Sequence, residues 1–169
     1  MPMRSVVMGL LVESWYLGRP VPDIAHPSRG GVDGRRPGSW ADAPYDDVAR
    51  LALALPGAAE GTSRGWRVWQ VAGRQFVWER PFTQADLRRS GDDPVPGGPI
   101  LAAAVEDLGE KEAVLAAHRG THFTIPHLDG YAAVLMRLDA VGDGTLAETV
   151  EDAWLARAPR GVAEDHRAS

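Results

Sequence analysis

The chain has 169 residues, 44% hydrophobic and 24% charged, ordinary globular proportions with room for one domain and its core. It contains no cysteine, which excludes disulfide frameworks, thiolate catalysis and cysteine-ligated zinc. A formal net charge of -5 opposes non-specific nucleic-acid binding, and no apolar run reaches the roughly 18 residues of a membrane helix.

Residues 19–44 read RPVPDIAHPSRGGVDGRRPGSWADAP, rich in Pro, Gly and charge and without a usable period. Such a segment cannot bury enough apolar area to offset its ordering entropy. Residues 1–43 are therefore expected to form a flexible extension, with Arg29, Arg35 and Arg36 on a solvated tail. The apolar stretch from Val6 to Val12 is too short for a signal-peptide core; Glu13 interrupts it and no small-x-small cleavage site follows. A cytoplasmic protein is expected.

Periodicity begins at Tyr45. Val48, Leu51, Ala52 and Leu55 follow the spacing of an amphipathic helix, with Asp46 and Asp47 at its positive end and Pro56-Gly57 to stop it. Residues 66–71 and 74–79 are alternating runs joined at Ala72-Gly73, a β-hairpin pattern. Thr83-Gln84-Ala85-Asp86 resembles a capping box opening a short helical turn, which the SGDDPVPGGP loop ends. A strand is predicted over residues 100–105 and a helix from Asp107 to Ala117, packing through Leu108, Leu115 and Ala116. Strands over residues 123–125 and 131–138 follow. A last helix begins near Asp143, carries Leu146, Val150, Ala153 and Trp154 on one face, and stops at Pro159.

The order α-β-β-β-α-β-β-α favours an antiparallel sheet with helices packed on it, the α+β class. The domain is expected over residues 44–160, followed by a short polar tail over 161–169.

Between the last two strands lies Pro126-His127-Leu128-Asp129-Gly130-Tyr131. Pro126 fixes one dihedral and Gly130 permits a positive one, so the turn can hold His127 and Asp129 in a set geometry.

The helix and its exit, LALALPGAAEGTSRG, resemble the opening of the MmcQ/YjbR family of small bacterial domains. The likeness continues through W-x-V-x-G-x-x-F-x-W-E-R-P over residues 69–81, the run ADLRRSGDDPVPGGPILAAAVEDLGEKEAVLAA, PHLDGYAAVLMRLD and the closing EDAWLARAP. It spans residues 45–159, with one departure: Arg64-Gly65-Trp66 stands where the family often places Tyr or Trp before Gly. The resemblance implies a two-layer sandwich of the secretion-chaperone-like type, an antiparallel sheet with flanking helices. It also implies DNA as a partner, and it carries over no catalytic residue.

Charge distribution offers a surface for that partner. Residues 45–158 hold eleven basic and seventeen acidic side chains, but residues 64–89 hold six arginines against Glu79 and Asp86. Trp66, Trp69, Phe76 and Trp78 interleave with them, and arginines beside aromatics can track a backbone while the rings stack on bases. Arg67, Arg74, Arg80, Arg88 and Arg89 are the expected phosphate contacts and Trp69 the stacking ring. The competing interpretation is a solvated arginine face with ordinary ion pairs, since alternation must send one side of the hairpin into a core. A second class of function is a small-ligand or protein-interaction module built on His127, Asp129 and Tyr131.

Three enzyme patterns fail on context, so a non-enzymatic protein with no cofactor and no metal is expected. Gly61-Thr62-Ser63-Arg64-Gly65 matches G-x-S-x-G, but a nucleophile elbow needs a strand before the serine and a helix after it. His118, His122, His127 and Asp129 offer metal-ligand atoms, but Gly120 and Pro126 prevent one helix from presenting them. Glu148, Glu151 and Asp152 read as the solvated face of the last helix.

Overall fold

A computed structural model describes residues 43–91 and 96–169. The expected extension lies outside the described residues as far as residue 42, as do residues 92–95 of the loop that follows the short helical turn.

The elements run α1 (Ala43–Leu53), β1 (Ala58–Ser63), β2 (Trp66–Val71), β3 (Arg74–Glu79), α2 (Gln84–Ser90), β4 (Ile100–Ala104), α3 (Leu108–Ala117) and β5 (His122–Phe123). A 3-10 turn (Pro126–Leu128), β6 (Ala133–Arg137), α4 (Asp143–Leu155) and α5 (Arg160–Arg167) complete them. Six strands form one sheet in the order β1-β2-β3-β4-β6-β5, with every neighbouring pair antiparallel. The fold is α+β, an antiparallel sheet flanked by helices.

Cross-strand partners share a face of the sheet, so the register sorts the core. Trp69, Val77, Ala103 and Val134 form one row and Leu101 and Met136 the next, all in the larger cluster. Val48, Ala49 and Ala52 of α1 and Leu146, Val150, Ala153 and Trp154 of α4 cover that face. Trp78, Ala102, Leu135 and Phe123 line up on the opposite face, under Phe82, Ile125 and Leu128. With both faces covered, β4 is buried at all five positions. That is why Ile100–Ala104 reads as an unbroken apolar run rather than an alternation.

Two hairpin turns need left-handed backbone. Arg64 and Gly65 join β1 to β2 at φ 56° and 86°, and Ala72 and Gly73 join β2 to β3 at φ 48° and 76°. Consecutive positive φ values suit the right-handed twist of the strands they connect. Beyond the second turn the register slips: Trp69 pairs with Val77, but Gln70 pairs with Gln75. Phe76 is thus one extra residue in β3, a β-bulge. The bulge lets Phe76 and Val77, neighbours in sequence, both enter the helix-covered core, each fully buried.

Two elements differ from expectation. β1 has no counterpart among the expected strands; its sequence AAEGTS has no apolar alternation, and it is an edge strand held by β2 alone. Residues 160–167, expected within a polar tail apart from the first, form α5. Ala163 is buried there, and His166 packs against Trp154 at 4.9 Å and bonds Glu151 at 2.9 Å.

Candidate functional site

The sheet separates the side chains expected to form one arginine and tryptophan surface. Arg67 sits on the helix-covered side, where it bonds Glu60 at 2.8 Å and Asp46 of α1 at 2.9 Å. Trp69, the expected stacking ring, is fully buried on that side and donates its Nε1–H to Glu60 at 3.0 Å. It cannot reach a base. Its alternation with Arg67 was legible, but which face the helices cover was not. The exposed ring of this hairpin is Trp66 instead.

Arg74 is exposed and donates to the carbonyl of Arg157, beyond the C-terminal end of α4, at 3.4 Å. Arg80 is buried and donates two parallel bonds to Asp86, at 3.0 and 3.1 Å. It supports α2 rather than facing a phosphate. Of the expected contacts, Arg88 and Arg89 remain as an exposed pair in the last turn of α2.

That helix starts as the sequence predicts. Thr83 Oγ1 accepts the Asp86 N–H, and Asp86 accepts the Thr83 N–H, the reciprocal capping box. Burial opposes ionisation of Asp86, but Arg80 and the Thr83 donors outweigh it and hold the carboxyl below its usual range.

Across from α2 stands the 126–131 turn. Pro126 opens the 3-10 turn, and Gly130 is not among the described glycines at positive φ, contrary to expectation. Support comes from below. Lys111 of α3, the only lysine in the chain, is buried and donates its Nζ to the carbonyls of Leu128 and Tyr131. Burial pushes its pKa down, with Asp129 opposing. Asp129 is exposed, and the Tyr131 ring meets Trp78 edge-on at 6.4 Å.

Two groups that the sequence kept apart therefore converge. Asp86, Arg89 and Ser90 of α2 and Ile125, Pro126 and His127 of the turn line one cleft of about 20 Å³. Ser90 donates its hydroxyl to the Asp86 carbonyl at 3.0 Å. His127 is exposed at its outer edge, yet partial burial, Arg80 and Arg89 push its pKa down while Asp86 opposes them. It is a neutral imidazole beside guanidinium charge at neutral pH, able to donate from one nitrogen and take a proton on the other. No periodicity in the chain could have signalled this meeting, which depends on how α2 and the turn cap the same face of the sheet.

His127 does not join the other two histidines. His122 pairs in register with Met136, so it lies on the helix-covered face, while His127 lies over the other. His122 is 3% exposed, its Nδ1 2.9 Å from Thr121 Oγ1 and its Nε2 3.1 Å from Thr149 Oγ1. The His118 ring lies beside it, centroids 4.7 Å apart and planes tilted by 40°. Among the described residues no group of three His, Cys, Asp or Glu side chains can hold a metal ion.

A larger opening of about 50 Å³ on the helix side is lined by Glu110, His118, Glu148, Thr149 and Asp152 over Ala103 and Val134. Burial and then Glu110, Glu151 and Glu148 push the Asp152 carboxyl up, so the cleft repels anions. Glu148 and Asp152 are exposed, as expected for the solvated face of that helix, and also line the opening. Ser63 ends β1 and a strand follows it rather than a helix, so G-x-S-x-G forms a hairpin corner here. No described helix is long and apolar enough to cross a membrane.

No family model matches the chain. The Mycobacterium tuberculosis protein "Uncharacterized protein Rv2570" and the Mycobacterium bovis protein "Uncharacterized protein Mb2600" are each 42% identical to it over 126 residues. The match covers 72% of this chain and 94% of each relative. A solved structure, the Deinococcus radiodurans protein DR2400 with a DUF419 domain, is similar at 19% identity with a TM-score of 0.48. It covers 66% of this chain and 75% of that one.

Proposed function

We propose that this chain, which belongs to the family of the mycobacterial proteins Rv2570, MT2646 and Mb2600, is a cytoplasmic, non-catalytic domain that binds nucleic-acid phosphate. The contact is the cleft between α2 and the 126–131 turn, and the resemblance of this chain's quoted motifs to MmcQ/YjbR domains supports the reading. One observation carries the assignment: Arg89 and His127, far apart in sequence, line the same cleft with Arg88 adjoining in sequence. A guanidinium fork and an imidazole are the donors that phosphate oxygens take.

The domain's net negative charge argues against a broad electrostatic footprint, so the contact is small and local. It differs from the hairpin surface, where Arg67 bonds Glu60 and Asp46, Arg80 bonds Asp86 and Arg74 bonds the Arg157 carbonyl. Fluorescence anisotropy of labelled single- and double-stranded DNA over a salt series tests it. Binding is expected to weaken with salt, and Arg88→Ala with Arg89→Ala to lower the log–log slope by roughly one to two units. Absence of binding at low salt, or a slope untouched by the double variant, defeats this assignment.

A further inference from the structure

We propose that β1 is a self-pairing edge: two copies of this chain join antiparallel, β1 to β1, about a two-fold axis at Gly61, and form one continuous sheet.

The sheet ends differently on its two sides. β5 closes one edge with only two residues, too short to template another strand. β1 closes the other with six, in unbroken register with β2. It carries none of the usual guards of an exposed edge: no proline, no lysine and no bulge. Its one charge, Glu60, lies opposite Trp69 on the helix-covered face, where Arg67 and the Trp69 Nε1–H already hold the carboxylate.

The β1–β2 hairpin fixes which backbone groups point outward. Across the two-residue Arg64-Gly65 turn, Ser63 and Trp66 form the bonded closing pair, and bonded and unbonded pairs then alternate. Gly61 and Ala59 therefore bond to β2, while Thr62 and Glu60 turn their N–H and C=O groups away from the sheet. The amide of Arg67, opposite Thr62, agrees, because it donates to Glu79 on the β3 side. Ala58 shares the outward phase, but its N–H is taken by the Leu55 carbonyl. Among the described residues nothing bonds the outward backbone groups of Glu60 and Thr62.

These groups complement themselves in one register. With the axis at Gly61, Glu60 of each copy faces Thr62 of the other, and each such pair exchanges two backbone bonds. Centring on Glu60 would oppose two carboxylates and draw on the engaged Ala58 amide. Centring on Thr62 would leave Glu60 facing Arg64, which lies in the turn outside the strand. Gly61 meeting Gly61 puts no side chain at the axis. On the same face Ser63 meets the second copy's Ala59, leaving two small residues in a row for the exposed Trp66 ring to cover.

Pairing along one short strand is a small interface, so the dimer is expected to dissociate with a constant of about 1–100 μM. Sedimentation velocity of the full chain over about 5–500 μM tests this, and the mass should rise from one chain to two. Thr62→Pro removes an outward N–H without breaking the β1–β2 ladder. It should weaken association at least ~10-fold, with its thermal unfolding checked against wild type.

The register is read with single cysteines, since the chain has none. Gly61→Cys has room, its Cβ meeting side-chain atoms of Val68 and Gln70 at 3.7 and 3.8 Å. Across the axis it lies ~4.5 Å from its copy, Cα to Cα, within disulfide reach. Copper–phenanthroline oxidation should cross-link it rapidly. Ala59→Cys, about 13 Å along the strand from its own copy, should stay mostly free. A monomer at every concentration overturns the proposal. So does a dimer that Thr62→Pro leaves intact, or one in which Ala59→Cys cross-links as fast as Gly61→Cys.

Discussion

Arg80 and Asp86 close a two-bond ion pair under α2, with side chains 10% and 3% exposed, and the same carboxylate caps the helix it supports. A charge this buried is strongly destabilising when its partner goes. Asp86→Ala is expected to cost about 3–5 kcal/mol in urea unfolding, because Arg80 is left uncompensated and α2 loses the carboxylate half of its capping box. Arg80→Met combined with Asp86→Ala should cost less than the two single changes summed. A coupling energy near zero in that cycle would sink the account.

His122 links stability to acid. Burial and then His118 push its pKa down to about 4, against an unperturbed 6.5. The unfolded chain therefore binds the extra proton first. The stabilisation is complete above about pH 6.5, declines as pH falls, and is lost by about pH 4, where the folded form also protonates. Its full size is at most ~3 kcal/mol. His122→Gln should flatten that limb in urea midpoints measured between about pH 7 and pH 4.5. An unchanged limb would assign the acid sensitivity to other groups.

Ala72 occupies left-handed backbone at φ 48° ahead of Gly73 at 76°, where alanine is strained. Ala72→Asn supplies the residue this turn prefers and should raise stability by ~0.5–1 kcal/mol, a few degrees in Tm. A lower Tm would mean that the turn tolerates alanine for a reason outside its backbone.

Lys111→Met should release the 126–131 turn. The carbonyls of Leu128 and Tyr131 lose their donor, at a cost of roughly 1–3 kcal/mol. Hydrogen exchange should quicken at the amides of Leu128 and Tyr131, which bond within the turn. Unaltered exchange there would show that Lys111 is not what holds it.

Much of the fold was legible because its signals are local. The helical spacing of Val48 and Ala52, the Ala72-Gly73 hairpin, the Thr83–Asp86 cap and the Leu146–Trp154 stripe all lie within a few residues of their partners. β1 was not legible, because an edge strand of small residues needs no alternating apolar face. α5 buries Ala163 on a mostly polar sequence, which leaves little pattern to find. The site was half legible: the sequence supplied Arg88, Arg89 and His127 but assigned them to rival surfaces. Trp69 was placed in solvent because alternation separates two faces without saying which one a helix will cover.

The bulge at Phe76 also decides where a charge goes. Because β3 carries one extra residue, Arg74 ends opposite Val71 on the helix side, within reach of the Arg157 carbonyl, and Gln75 falls opposite Gln70. Were the register of the turn carried through β3 without the bulge, Phe76 would fall opposite Trp69, and Val77 would fall opposite Val68 and exchange sides of the sheet. Trp78 and every later residue of β3 would do the same, carrying a tryptophan toward the helices. One inserted phenylalanine thus acts as a phase shifter, setting the turn and the body of β3 half a pleat apart so that each end delivers its side chains to the correct layer.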